Sequence, residues 1–406
     1  MYDKVDVYMN AQLAGRLARA QQRHSFSYSL NAPEALSLTM PLRVESYSYP
    51  QGLHPLFQMN LPEGYLRQAI ERYAAKNFGS DDLSYLSLLG KHQIGRLRYS
   101  LADTPLAPES AQAPALRDLL GSNDSDLFHQ LFERYAVYSG VAGVQPKVLM
   151  DAHQDPVPPI TDKATLPLKK YIVKSWGAEF PELACNEFFC LTLARNAGLS
   201  TPNFYLSDNG KLLICERFDI DTNEEPLGFE DFCVLQGKTT QQKYESSIEA
   251  CAGTVIQFVS PEHLQKSLED LFKLTLLNIK IRNGDAHLKN LGILYSNLEN
   301  YHSGHVPSSS RKLAPIFDLV STTPYLPRDS MALTLTGSKR WPKWKVLEKF
   351  AKVHCRLSNK TIEKIVNDID VSCKNSLPLL TELRTSHNGF EPIGEAMSQL
   401  LQQQVV

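Results

Sequence analysis

An α+β fold is predicted, with a strand-rich first half and a mostly helical second half. Three observations predict it. Short strand-type runs recur up to about residue 232, and beyond it the apolar residues return mainly with helical spacing. The stretch "ADTPLAPESAQAPA" is rich in Pro, Ala and Ser and has no periodicity, so it marks a domain boundary. The 406 residues are 43% hydrophobic and 21% charged, ordinary for a globular chain and sufficient for two or three subdomains with a substantial core.

The elements follow in order. "VDVYMNAQLAGRL" alternates like two strands around a turn at Asn10 to Gln12, and "HSFSYSL" and "LSLTM" read as further strands. "PEGYLRQAIERYAAK" opens a helix with Pro62 early and Glu63 in the first turn. "DDLSYLSLLG" is a short helix closed by Gly90, and "IGRLRYS" is a strand. After the linker, "YSGVAGVQPKVLM" is a glycine-containing loop between apolar runs, and "KKYIVKSW" is a strand. A helix runs from Pro181 to Gly198, and "NFYLSDNGKLLICERFD" is a hairpin turning at Asp208 to Gly210. Helices dominate from there, except for two apolar pieces, "LGILY" and "LAPIFDLVS", flanking a polar loop at 296–312.

A net charge of −2 argues against a strong nucleic-acid binder. The seven cysteines contain no CxxC pair, so reduced and mostly buried thiols are expected. The start, "MYDKVDVYMN", has no apolar signal core, and no apolar run is long enough to span a membrane. A cytoplasmic protein with no membrane partner is expected.

The densest chemistry lies in "NGDAHLKN", residues 283–290, directly after a helical stretch carrying Leu264, Leu268, Leu271, Leu276 and Ile279. Asp285 and Asn290 are separated by four residues, and Asp318 follows in the second apolar piece, expected at the end of a strand. Phosphotransferases of the protein-kinase kind need this set. A carboxylate accepts the proton of the acceptor hydroxyl, while an amide oxygen and a second carboxylate hold Mg²⁺ on the nucleotide phosphates. Mg²⁺ is a hard cation and takes such oxygen ligands. Lys289, between base and metal ligand, could neutralise charge on the transferring phosphoryl group. His287 could ligate a metal with Asp285 or pack as an imidazole that orients the loop. A polar surface loop capping the preceding helix would use the same residue types.

Upstream residues supply the other half of an ATP site. Gly140 and Gly143 in "SGVAGVQPK" allow backbone N–H groups to approach phosphates. Lys174 sits inside the apolar strand "YIVKSW", where a lysine needs a task or a partner, and Glu187 on the next helix is the natural acid. "LICERFD" places Glu216 to Phe218 where a kinase hinge would present its backbone to adenine.

Together these segments resemble the HipA family of bacterial serine/threonine kinases, the toxin halves of toxin–antitoxin pairs. The resemblance is carried by "YMNAQLAGRL", "LSLTMPLR", "LHPLFQMNLPEGYLRQAI", "VAGVQPK", "ERFD", "DAHLKN" and "LAPIFDLVST", across nearly the whole chain. It implies a bilobal protein-kinase-like fold, closer to the lipid-kinase version, with an extra N-terminal α/β subdomain and a helical C-lobe. The expected division is 1–100 for that subdomain, 101–125 for the linker, 126–235 for the N-lobe and 236–406 for the C-lobe. The resemblance implies Asp285 as the base, Asn290 and Asp318 as Mg²⁺ ligands, and Lys174 on the phosphates. Gly140, Val141, Ala142, Gly143, Val144, Gln145 and Lys147 would line the loop over the phosphates of ATP, with Glu216 and Phe218 at adenine. It further implies a protein substrate such as an aminoacyl-tRNA synthetase, a small helix-turn-helix antitoxin, and DNA contact through that antitoxin.

One departure concerns regulation. The family pattern implies a phosphate-loop serine three residues before Gly143, whose autophosphorylation switches the enzyme off. That position is Gly140, with Ser139 one residue earlier, so slow or absent autophosphorylation is expected. Two other readings compete. A small-molecule kinase of the aminoglycoside-phosphotransferase type shares the loop, but Asn283 stands where those enzymes carry His. A non-catalytic co-repressor would draw on "SKRWPKWKVLEKF", which sets Lys339, Arg340, Lys343, Lys345 and Lys349 among aromatics.

Overall fold

The structure is a computed structural model that describes residues 3–21, 23–49, 52–64, 66–68, 70–71, 81–106, 116–122, 127–135, 145, 147–153 and 168–403. The chain forms two units. The first comprises Met1–Ser175, Ser207–Glu230 and Tyr295–Ser309, and the second Trp176–Leu206, Asp231–Leu294 and Ser310–Val406.

The first unit opens with an antiparallel sheet of β1 (Lys4–Met9), β2 (Gln12–Ala20), β3 (Arg23–Tyr28), β4 (Tyr47–Tyr49) and β5 (Leu97–Leu101), in the order β4-β3-β2-β1-β5. Alternation explains β1, which buries Val5 and Val7, and Asn10 turns the chain at φ 53, an angle asparagine tolerates. A Cβ on Gly15 would lie 2.5 Å from Phe26 Cζ, so glycine lets that ring cover the sheet. Phe26, Phe57 and Tyr99 pack there, with centroids 5.6 and 6.3 Å apart along the series.

"LSLTM" is not a strand but a turn closed by a Ser37–Met40 bridge. Its polar groups go to a buried carboxylate instead of a ladder. Ser37 Oγ donates to Glu230 Oε2 at 2.6 Å and Leu38 N–H to Oε1 at 2.7 Å. Burial raises the Glu230 carboxyl above its usual range, and these donors act against that rise. The helix expected after Pro62 is present at residues 64, 66–68 and 70–71.

A second antiparallel sheet in this unit aligns β6 (Lys147–His153), β7 (Leu168–Lys174) and the strand Leu213–Glu216. The turn preceding that last strand has Gly210 at φ +70, the conformation glycine accepts most readily.

The second unit is mostly helical. Its helices are Leu183–Asn196, Phe232–Leu235, Ile248–Phe258, Pro261–Lys280, Trp344–Val353, Asn359–Ser386 and Glu391–Gln402. Pro261 opens its helix, where the missing N–H costs nothing. Leu268, Leu271, Leu276 and Ile279 are buried as expected, whereas Leu264 is partly exposed. Lys273 ties helices together, donating to Ala197 O at 2.6 Å and to Asp368 Oδ2 at 2.8 Å. All seven cysteines are buried and none is in a disulfide. Among the described residues, no helix is long and apolar enough to cross a membrane.

"LAPIFDLVS" is a strand only at its start. Arg311–Leu313 is paired, and Pro315, which has no N–H, ends the ladder. The chain continues through isolated bonds, Ala314 N–H to Gly292 O at 2.8 Å and Ile316 N–H to Ser200 O at 2.7 Å. Asp318 therefore lies beyond the strand, not at its end, and has φ 51.

Candidate active site

The helix Pro261–Lys280 delivers the chain to the loop 283–290, and Arg282 at φ 56 reverses it. Four side chains then fix the loop. Asn283, 3% exposed, donates through Nδ2 to Asn278 Oδ1 at 2.9 Å and accepts from Asp285 N–H at 3.0 Å. Thr322 Oγ1 accepts from Gly284 N–H at 2.8 Å and donates to Asp329 Oδ2 at 2.5 Å. A Cβ on Gly284 would sit 2.0 Å from that same oxygen and 2.7 Å from Ser330 O, so a side chain there would displace the carboxylate or the backbone.

The Asp285 side chain is open to solvent, and Tyr244 Oη donates to its Oδ1 at 2.7 Å. Partial loss of water raises its carboxyl above the usual range. The Tyr244 phenol and Lys243 oppose that rise, while the charges of Asp318 and Asp329 add to it.

His287 is buried, with its ring 5.1 Å from that of Tyr244 in an edge-on arrangement. Burial, then the Lys243 charge, pushes its pKa down to about 3, so it is neutral at physiological pH. Its Nδ1 makes no hydrogen bond among the described residues. The imidazole packs and orients.

Asn290 Oδ1 accepts from His287 N–H at 3.0 Å, and Asn290 N–H donates to His287 O at 3.0 Å. Asn290 and Asp318 line one cavity of about 50 Å³, with His287, Asn283 and Asn278 among its other walls. Asp318 holds its left-handed backbone there, a conformation of order 1–3 kcal/mol above the ordinary regions that persists where the surroundings impose it. One amide oxygen and one carboxylate suit Mg²⁺, which binds one or two protein oxygens and completes its shell with water and phosphate.

Lys289, expected at the transferring phosphoryl group, is paired within the unit. Its Nζ lies 3.1 Å from Asp231 Oδ2, with the side chains 7% and 3% exposed. Asp231 also caps the helix Phe232–Leu235 by accepting from Val234 N–H at 3.0 Å. The ammonium is engaged by a buried acid, which fastens the loop to that helix.

The described nucleotide residues expected in the first unit fall on its second sheet or directly beside its strands. Lys147 and Lys174 are opposite each other in the β6–β7 register and are 3% and 4% exposed. Gln145 Nε2 donates to Ser175 O at 3.0 Å. Glu216 accepts from Lys169 Nζ at 3.1 Å, and Phe218 packs edge-on against Phe229. Next to them, Arg217 and Asp219 form a buried ion pair at 2.6 Å. Asp219 Oδ2 also accepts from Gly95 N–H at 2.6 Å. Glu187 is fully buried on the helix Leu183–Asn196 of the second unit. Ser139, Gly140, Val141, Ala142, Gly143 and Val144 lie outside the described residues.

Sequence reading missed Tyr244, Thr322, Asp329 and Asp231. Only Asp231 carried a local signal, an acid directly before the apolar run "FCVL".

Comparison with known proteins adds the lineage. Residues 5–100 match the HipA N-terminal domain and residues 139–377 the HipA-like C-terminal domain. The chain belongs to the HipA family. Two relatives from Sinorhizobium fredii bear the names "Putative kinase Y4dM" and "Putative kinase Y4mE". The first is 25% identical over 366 residues, covering 86% of this chain and 80% of the relative. The second is 28% identical over 353 residues, covering 79% and 78%. The fold is also that of a HipA solved with HipB and operator DNA from Shewanella oneidensis. The TM-score is 0.67 at 18% identity, covering 98% of this chain and 96% of that one.

Proposed function

We propose that this HipA-family protein is a kinase that transfers the γ-phosphoryl group of ATP to a serine or threonine hydroxyl of another protein. The observation that carries the reading is the loop 283–290. It presents the solvent-reachable carboxylate Asp285, while Asn290 lines a cavity shared with Asp318.

Asp285 accepts the proton of the acceptor hydroxyl as its oxygen attacks phosphorus, and ADP departs. A raised carboxyl suits that task, since a base close to the working pH is the more effective one. Asn290 and Asp318 would hold Mg²⁺, which supplies positive charge against the phosphates. Lys147 and Lys174 attract the phosphates, and the backbone at Glu216 and Phe218 takes adenine. Gly140 and Gly143 would let backbone N–H groups reach the phosphates. Lys289 acts indirectly, holding the loop on Asp231.

Family membership and the fold shared with the HipA of the HipA–HipB–DNA complex favour a small DNA-binding antitoxin as partner, with DNA reached through it. A translation protein such as an aminoacyl-tRNA synthetase is the proposed substrate, and the cytoplasm the proposed location.

The test is incubation of a cell lysate with Mg²⁺ and labelled ATP, comparing wild type with Asp285→Asn and identifying the labelled band. The proposal expects a protein labelled on Ser or Thr by wild type alone. Label on an aminoglycoside and none on protein would contradict it, and so would MgATP binding with no transfer to any acceptor.

A further inference from the structure

The described surroundings of Asp285 hold one side chain that the kinase reading leaves without a task. Tyr244 Oη donates to Asp285 Oδ1 at 2.7 Å, the contact a base's carboxylate would otherwise make with a hydroxyl from outside. The phenol is held from several sides. Its ring meets His287 edge-on at 5.1 Å, and that imidazole is buried within the loop. The preceding carbonyl, Lys243 O, accepts from Leu288 N–H of the same loop at 3.2 Å. The carbonyl of Tyr244 accepts from Lys339 Nζ at 3.3 Å, and Glu245 N–H donates to Gln242 O at 2.9 Å. Backbone and ring therefore point the hydroxyl of this exposed tyrosine at one carboxylate oxygen.

From this geometry we infer that Tyr244 is a positioning residue, whose phenol occupies Oδ1 of Asp285 so that Oδ2 alone meets the acceptor hydroxyl. The inference rests on the assignment of Asp285 as base. A carboxylate rotates about its Cβ–Cγ bond unless something fixes it, and a fixed acceptor keeps more collisions in reactive geometry. The charged groups near Asp285 are Lys243, beside Tyr244, and Asp318 and Asp329 from the chain beyond the loop. Donation from the phenol favours the charged carboxylate over the neutral acid.

The experiment measures steady-state transfer to the labelled protein substrate by wild type, Tyr244→Phe and Asp285→Asn, each with its melting temperature. Phenylalanine keeps the ring against His287 and removes only the hydroxyl. The expected result is a fall in kcat of roughly tenfold, the weight of one oriented hydrogen bond. KM for MgATP and the melting temperature stay at wild-type values. The acid limb of the rate profile moves to higher pH, because Asp285 without the donor takes up its proton sooner. Wild-type kcat and acid limb in Tyr244→Phe, with Asp285→Asn inactive, would overturn the inference and leave the base assignment standing. Activity in Asp285→Asn would instead remove the base assignment itself. A parallel loss of MgATP affinity and melting temperature in Tyr244→Phe would make the tyrosine merely structural. Phosphate found on Tyr244 would make it an acceptor, and either result overturns the inference.

Discussion

The second sheet of the first unit and the loop of the second unit hold their polar residues by opposite means. Lys147 and Lys174 stand on paired strands, and the ladder places them opposite each other whatever their neighbours are. The loop 283–290 has no ladder. It is held by its own Asn283 and by single side chains reaching from elsewhere in the unit, namely Asn278, Thr322 (backed by Asp329), Asp231 and Tyr244. A strand spreads its stability over many bonds, so one substitution changes a side chain and little else. A loop pinned by side chains loses geometry with each pin. That difference predicts where mutations act on stability and where on chemistry alone.

The largest effect should come from Lys289→Met. It strands the Asp231 charge in a site where both side chains are almost enclosed, and breaking a buried pair costs about 3–5 kcal/mol. Denaturant unfolding checks this, and the double variant Lys289→Met with Asp231→Asn should recover much of the loss. Unchanged stability in the single variant would mean that Lys289 faces solvent and remains available to the phosphoryl group.

Next comes the imidazole of the loop. His287 is held neutral with a pKa of about 3, below the unfolded value of about 6.5. Its burial therefore contributes stability that is complete above pH 6.5 and lost as pH falls toward 3. His287→Asn should flatten the decline of melting temperature between pH 6.5 and pH 4. Identical slopes would show a hydrated imidazole that charges freely.

The same contrast explains what could be read from sequence. Strand alternation exposed β1, β7 and the oddity of a lysine within "YIVKSW", because a ladder obeys a local period. The spacing of Asp285 and Asn290 was legible for a similar reason: both lie on one short loop. Tyr244 and Thr322 were not, since they reach the loop across 41 and 38 residues, and no local pattern marks a side chain for such a contact. The extra strand assigned to "LSLTM" failed because Glu230, far along the chain, offers its donors a better partner than a ladder. Pro315 was the overlooked local signal that the last strand stops before Asp318.

A smaller stability effect is expected at Asp318. Replacement by glycine should relieve the left-handed backbone and raise stability by about 1 kcal/mol, while removing a Mg²⁺ ligand. ATP titration with and without Mg²⁺ should then show the metal-dependent gain in affinity abolished, both here and in Asn290→Ala. Equal MgATP affinity in wild type and Asp318→Gly would take Asp318 out of the metal site.

The smallest effect concerns self-phosphorylation. Ser139 is one residue from the family's position, which is Gly140 here, so mass spectrometry after MgATP incubation should find little phosphate on it. Near-stoichiometric phosphate on Ser139, absent from Asp285→Asn, would show that the shift is of no consequence.

The central claim is that the solvent-reachable acid of the loop acts on the acceptor hydroxyl and not on the nucleotide. Asp285→Asn keeps the shape of the side chain and the Tyr244 partner while removing the negative charge. The measurement is phosphoryl transfer and MgATP affinity in the same preparation. Transfer should fall by roughly 10²–10⁴-fold, as for loss of a general base, while MgATP affinity stays near wild type. Near-wild-type turnover in Asp285→Asn would contradict the account.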